Sequence, residues 1–460
     1  MASSGSRLLV AGLTALLLAA RGASGQAVQG GALPGPLPLF PANNWWNLDV
    51  SAAPVDPGSA ALVAWIGAAK GLHPDFGGDS SPSPEIYGFP YVVVTGATPL
   101  EPVTFGYAGE SDPGAPGRPP GYPIPAEAKT QPKWIEGGYP GNSGAGGDRH
   151  MLIVDTDNRL LFETFATRWN VSRGRWEAGS GAVFPLDSNQ RRPEGWTSAD
   201  AAGLAILPGL VRYDEVYGTD PIRHAFRFTV RDTNGYVWPA SHEAGSQPGA
   251  PPMGMRLRLK ATKDISGFVE PVRKIFQAMK TYGLIVADNG TDMYVQGTYD
   301  TRWDNDLLNP AFGALTTSDF EVVLLGWRPP PPDTSGPAAF HTLPPCRLAD
   351  TRRPPGPLGG PSLAPGGERV LAPAGACGIP AAAQGLSVNV TVVAGGAGHL
   401  TLFPANGSNP GSSTINFSGG QVRANNAILR LATDGTGSVT VFNGSAGSNH
   451  LIVDVNGYFR

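Results

Sequence analysis

Short alternating stretches set the character of this chain. Residues 91–94 and 103–105 are rich in β-branched and aromatic side chains, as half-buried strands are. In residues 150–155, His150, Leu152 and Val154 fall on one face and Met151, Ile153 and Asp155 on the other. Residues 160–165 follow across Thr156-Asp157-Asn158-Arg159, which predicts a hairpin. Residues 224–230 and 236–238 flank a turn at 232–235 and predict a second hairpin, with His224 and His242 near its open end. Residues 255–260 set Met255, Leu257 and Leu259 against Arg256, Arg258 and Lys260, a stripe expected on a solvated face. Residues 321–325 close the run of strands. Helices are few. Residues 59–69 form one, and 197–204 another, starting at a capping-box-like Thr197 and Asp200. A third spans 269–282, with Val272, Ile275, Phe276 and Met279 at helical spacing. The pattern predicts a mainly β fold: a large β-sandwich or jelly-roll domain with a few short helices.

Composition sharpens the organisation. The chain has 460 residues, with 63 Gly and 46 Pro that punctuate the backbone at turns. Formal net charge is −4 and no long basic stretch occurs, so a nucleic-acid partner is not expected. Arg7 followed by the apolar run of residues 8–20 and the small residues Ala23-Ser24-Gly25 reads as a signal peptide, residues 1–25. Its cleavage would deliver the protein outside the cytoplasm, and no later segment reaches membrane-spanning length. Residues 26–39 are Gly/Pro/Ala-rich and expected to be disordered. A run of four prolines opens a stiff linker over residues 329–337. It separates a domain at 40–328 from a module at 338–460. Both cysteines, Cys346 and Cys377, lie in the module. Export favours pairing them; two buried thiols are the alternative.

The module is similar to a repeat common in secreted bacterial proteins. The matching stretches include PCRLADTR (345–352), GACGIP (375–380), LSVNVTVV (386–393), STINF (413–417) and LIVDVNGYF (451–459). The resemblance implies a compact β-sandwich appended to exported enzymes and surface proteins, a spacer or surface-attachment unit. The large domain resembles an exported protein family of poorly defined biochemistry, over residues 43–323. The stretches NNWWNLDVSAAPVDPGS, GDRHMLIVD, RPEGWTSADAAGLAILPGLVRYDE, HAFRFTV and YGLIVADNG carry it. That resemblance leans toward glycan chemistry by association alone. Residues 115–121 look inserted relative to the family pattern.

No serine-hydrolase elbow, zinc-protease helix or phosphate-binding loop is present, and no cofactor or metal is expected. The candidate chemistry rests on clusters. Glu136, Asp148 and His150 lie in Gly/Pro loops that feed a strand, where glycoside hydrolysis would place its two carboxyl groups. The bland alternative pairs Asp148 with Arg149 at a turn. Asp200, His224, Arg227 and His242 form a second cluster, which would suit a metal if the hairpin brought the histidines together. Asp288 follows the buried-looking residues 284–287. Trp45, Trp46, Trp196 and Trp238 are candidate walls of a sugar cleft, although core packing is the commoner fate of a tryptophan. The expected function is a secreted polysaccharide-degrading enzyme, a glycoside hydrolase using paired carboxylates. The catalytic candidates are Glu136, Asp148, His150, Asp200 and Asp288; Arg227 and the four tryptophans are candidates for binding the polysaccharide. A polysaccharide lyase using Arg227, Arg256 or Arg258 against a uronate, and a non-catalytic carbohydrate-binding or surface protein, are the alternatives.

Overall fold

The computed structural model describes residues 26–329 and 338–460. The expected signal peptide, and all of the expected linker except Pro329, lie outside the described residues. The protein is mainly β, with few short helices.

Two large sheets and a small three-stranded one, Val103–Phe105, Arg175–Ala178, Arg168–Asn170, build the large domain. The first large sheet runs in the order Val28–Gln29, Tyr91–Val94, Met151–Asp155, Leu160–Phe165, Ser180–Pro185. The second runs Phe320–Val322, Arg256–Leu259, Leu284–Asn289, Phe226–Val230, Tyr294–Gln296, His73–Asp75. Both are mixed. Tyr91–Val94 pairs in parallel with Met151–Asp155, and Phe226–Val230 with Leu284–Asn289. Leu152, Val154, Leu161 and Phe184 of the first sheet share one core with Phe226, Phe228, Leu257 and Val286 of the second. Met151, Ile153 and Phe162 face the other way, into a smaller core with Tyr122 and Trp176. A sheet covered on both faces explains why Met151–Asp155 is buried at every position.

The expected hairpin across residues 156–159 forms, with Met151 opposite Thr164 and Asp155 opposite Leu160. The other does not. Residues 236–238 make no strand, and Phe226–Val230 pairs instead with Leu284–Asn289 and Tyr294–Gln296. Pro239, Pro251 and Pro252 cluster just beyond and supply no N–H for a ladder. Helices form at Ser59–Ile66 and Glu270–Thr281, the latter burying Val272, Ile275, Phe276 and Met279 as spaced. Residues 197–204 form turns rather than a helix. There the Thr197 and Ser198 hydroxyls bond the Asp200 carbonyl, and Gly203 has φ +73°. Such local side-chain bonds compete with helical ones.

The basic stripe is also placed differently from expectation. Arg256 and Arg258 are buried, because residues 45–53 fold over them. Arg256 donates to the Trp45 carbonyl, and Arg258 to the carbonyls of Val50, Ser51 and Ala53 and to Glu321. The lead segment, expected to be disordered, supplies an edge strand: Val28 and Gln29 lie opposite Val93 and Val92.

The module folds as two four-stranded antiparallel sheets over one core. One sheet runs Phe340–Asp350, Asn449–Phe459, Gly385–Ala394, Val422–Arg430. The other runs Glu368–Leu371, Val439–Asn443, Gly398–Pro404, Ile415–Phe417. Val388, Val390 and Val392 point inward to meet Leu400, Val441 and Val453. Cys346 and Cys377 form a disulfide, their Cα atoms 5.9 Å apart and 31 residues apart in sequence. Among the described residues, no helix is long and apolar enough to cross a membrane.

A loop of that length is worth about 3–4 kcal/mol in the chain-entropy account. Reduction, or Cys346→Ala with Cys377→Ala, is therefore expected to lower the melting transition of the module and leave that of the large domain in place. Calorimetry of the whole chain, before and after reduction, measures both. Two unmoved transitions would contradict the assignment.

Candidate functional site

The first strand of the site is entered under strain. Arg149 has φ +49°, a left-handed conformation that costs a non-glycine residue about 1 kcal/mol or more. Its buried guanidinium is pinned to the carbonyls of Thr167 (3.0 Å) and Pro140 (2.9 Å). Arg149 is therefore not the partner of Asp148. The sharp turn leaves Asp148 exposed and sends His150 inward, between the rings of Phe89 and Phe165.

His150 is only 2% exposed, and both its ring nitrogens meet acceptors. Nδ1 lies 2.6 Å from Glu136 Oε2, which also accepts the His150 backbone N–H. Nε2 lies 2.9 Å from the Ala199 carbonyl. A carbonyl oxygen only accepts, so Nε2 carries a proton, and the carboxylate holds a second on Nδ1. Burial pulls the imidazole pKa down, but the charge and hydrogen bond of Glu136 outweigh it and raise the value to about 9. His150 is a buried imidazolium.

Beside it stands a second buried ion group. Arg227 donates from Nε and Nη2 to the two oxygens of Asp200, at 3.0 and 2.8 Å, and from Nη2 to Asp288 Oδ2 at 3.1 Å. Its guanidinium lies 5.2 Å from the Phe89 ring centroid. Arg227 and Asp200 are essentially inaccessible, whereas the Asp288 side chain keeps 24% of its exposure. The register explains this. Phe228 lies opposite Val286 and Thr229 opposite Asp288, so Ala287 is an extra residue that breaks the ladder. The Ala287 carbonyl accepts the N–H of Ala202 instead. A bulge of this kind re-aims the next side chain. Burial raises the Asp288 pKa to about 6; Arg227 opposes the shift and Asp200 adds to it. Glu163, wholly buried, accepts the N–H groups of Ile206 and Leu207, and burial raises it to about 7.

Of these groups, His150 and Asp288 border a cleft of about 410 Å³. Asp148, His150 and Asp288 line it, together with Glu110, His242, Tyr107 and Phe165. The Ser180 hydroxyl is bonded to the Ser198 carbonyl (2.6 Å) and that of Ser198 to the Leu204 carbonyl (2.5 Å), so neither is set up as a nucleophile. The carboxyl groups and His242 remain as the reactive groups.

Several expected roles change with this geometry. Glu136 does not face Asp148 across the cleft; it is spent on His150 and does not line the cavity. Asp200 is an ion-pair anchor with no access to a substrate, and Arg227 is buried and engaged by carboxylates rather than free to bind sugar. None of Trp45, Trp46, Trp196 and Trp238 lines the cleft. Trp45 and Trp46 are core residues, and the Trp46 ring packs so closely on Gly209 that a Cβ there would lie 2.5 Å from it. Trp238 packs edge-on against Trp45, and Trp196 meets Arg192. The histidine pair is separated too. His224 bonds Glu215 at 3.0 Å, His242 bonds the Ala201 carbonyl, and among the described residues no group of His, Cys, Asp and Glu is arranged to hold a metal. Sequence reasoning missed Glu163, whose signal was an acid inside the otherwise apolar Leu160–Phe165.

The sequence matches no protein-family model and no curated protein.

Two outcomes follow. Removing Arg227 alone leaves Asp200 buried and unpaired, so Arg227→Met is expected to cost about 3–5 kcal/mol in denaturant unfolding, and adding Asp200→Leu to recover part of it. The second concerns pH. His150 holds its proton more tightly folded than unfolded, so its stabilisation is complete below about 6.5 and is lost as pH rises through about 9. Glu163 and Asp288 also have raised values, about 7 and about 6, so each loses stabilisation between the ordinary carboxyl range and those values. The melting temperature of the large domain should therefore fall from pH 5 to pH 9. A flat or rising profile would contradict the charge states.

Proposed function

We propose that the large domain is an exported hydrolase of glycosidic bonds, acting in the cleft with Asp288 as proton donor. The single observation that carries this reading is the environment of Asp288. Its carboxyl is mostly buried, anchored on Arg227 and raised to about 6, and it lines a cleft that also holds the acids Asp148 and Glu110. Glycoside cleavage needs one carboxyl that holds its proton and, across the bond, a group that attacks or activates water. Tyr107 and Phe165 give the cleft two flat rings, which suit the apolar face of a sugar. Asp148 and Glu110 are the other carboxyl groups of the cleft. The lyase alternative is weaker because it needs a free cation against a uronate. Arg227, Arg256 and Arg258 are all buried and committed to carboxylates or backbone carbonyls. The C-terminal module serves as a spacer or surface-attachment unit.

A screen on plant and algal polysaccharides, read as new reducing ends, tests the reading. Asp288→Asn keeps the side-chain shape and is expected to lower kcat about 10²–10⁴-fold. Activity requires the protonated carboxyl, so kcat/KM should fall as pH rises through about 6. An unsaturated uronide among the products would instead establish a lyase. Binding without turnover across the screen would favour a carbohydrate-binding protein.

A further inference from the structure

His242 is the one imidazole in the cleft with a ring nitrogen left to act. Its Nδ1 is 2.8 Å from the Ala201 carbonyl and must donate to it, so in the neutral ring Nε2 carries the lone pair. Nε2 lies 3.8 Å from Glu110 Oε2, beyond a hydrogen bond, so it is not tied to a protein acceptor. Glu110 is itself held, accepting the Thr197 N–H at 3.2 Å. The ring is about a quarter exposed and lines the same cavity as Asp288.

The backbone that carries His242 is rigid. Ser241, the preceding residue, is wholly buried. Its N–H donates to the Ala202 carbonyl, its carbonyl accepts the Gly195 N–H, and its hydroxyl donates to the Trp196 carbonyl. Ala202 in turn donates to the Ala287 carbonyl, one residue before Asp288. A short chain of backbone bonds therefore ties the position of His242 to that of Asp288. Fixed tautomer, rigid support and access to the cavity are what a general base requires.

We propose that His242 is a further catalytic residue, the base that activates the attacking water. The inference rests on the hydrolase reading above. Nε2 takes a proton from water, and the water oxygen bonds to the anomeric carbon. The bond from that carbon to the glycosidic oxygen breaks, and the departing oxygen takes the proton of Asp288. The step leaves an imidazolium facing Glu110 and an ionised Asp288; exchange with solvent resets both. No carboxylate bonds to the sugar, so the reaction is a single displacement that inverts the anomeric configuration.

Three measurements test this. NMR of the first-formed product of the unmodified protein should show the inverted anomer. His242→Gln should lower kcat about 10²–10⁴-fold with little change in KM, and added imidazole should restore activity to His242→Ala. A retained anomer, or an undiminished kcat in His242→Gln while Asp288→Asn is inactive, overturns the role of His242 and leaves the hydrolase reading standing. If Asp288→Asn is as active as the parent protein, the hydrolase reading fails and this inference falls with it.

Discussion

The buried pairing of Arg227 with Asp200 and Asp288 is the constraint on which the site depends. A guanidinium taken out of water is costly, and the cost is offset only when its charge is met at close range and in good geometry. Asp200 meets it with both oxygens from a loop, and Asp288 meets it with one from the adjacent parallel strand. The loop after Asp200 is bonded to the bulge that precedes Asp288, so the two carboxylates are placed together. Glu136 and His150 repeat the logic at the start of Met151–Asp155, the middle strand of the first sheet. Both ion groups are buried where an apolar core would otherwise continue.

This arrangement separates the groups that hold from the groups that are exposed. Asp200, Glu136 and Arg227 are consumed by one another or by His150. Asp288 lies at the edge of the network, partly solvated, with a carboxyl that burial keeps protonated into mildly acidic pH. Asp148 reaches solvent because the strained Arg149 turns the chain beneath it. On the proposed reading, a carboxyl held beside a buried guanidinium needs little reorganisation during a reaction, which is the advantage of preorganised electrostatics.

Much of the fold was legible because its signals are local. The alternation of Met151–Asp155, the turn at 156–159 and the helical spacing of Val272, Ile275, Phe276 and Met279 each depend on neighbours in sequence. Pairing was less legible. Phe226–Val230 reads as a strand, but nothing local says that its partner lies at Leu284–Asn289 rather than just past the next turn. The arginine stripe misled for the same reason, since the segment that buries it is some two hundred residues away in sequence. Within the site, Asp148, His150 and Asp288 were visible as polar residues at strand ends, and all three reach the cleft. Their roles were not visible. Whether a carboxyl is spent on a buried cation or left facing a cavity is decided by contacts between distant segments, as Glu136 and Asp200 illustrate. Trp45 and Trp46 looked accessible beside polar neighbours, yet the size of their rings makes them core.

The charge state of His150 tests the account most directly, because it requires Glu136 to be ionised and the two sheets to be in place. Nitrogen NMR of the histidine rings across pH separates it from the other histidines. The account predicts that both His150 nitrogens stay protonated through pH 8 and titrate near 9. A neutral ring at pH 7, titrating at or below the ordinary value of about 6.5, would contradict it.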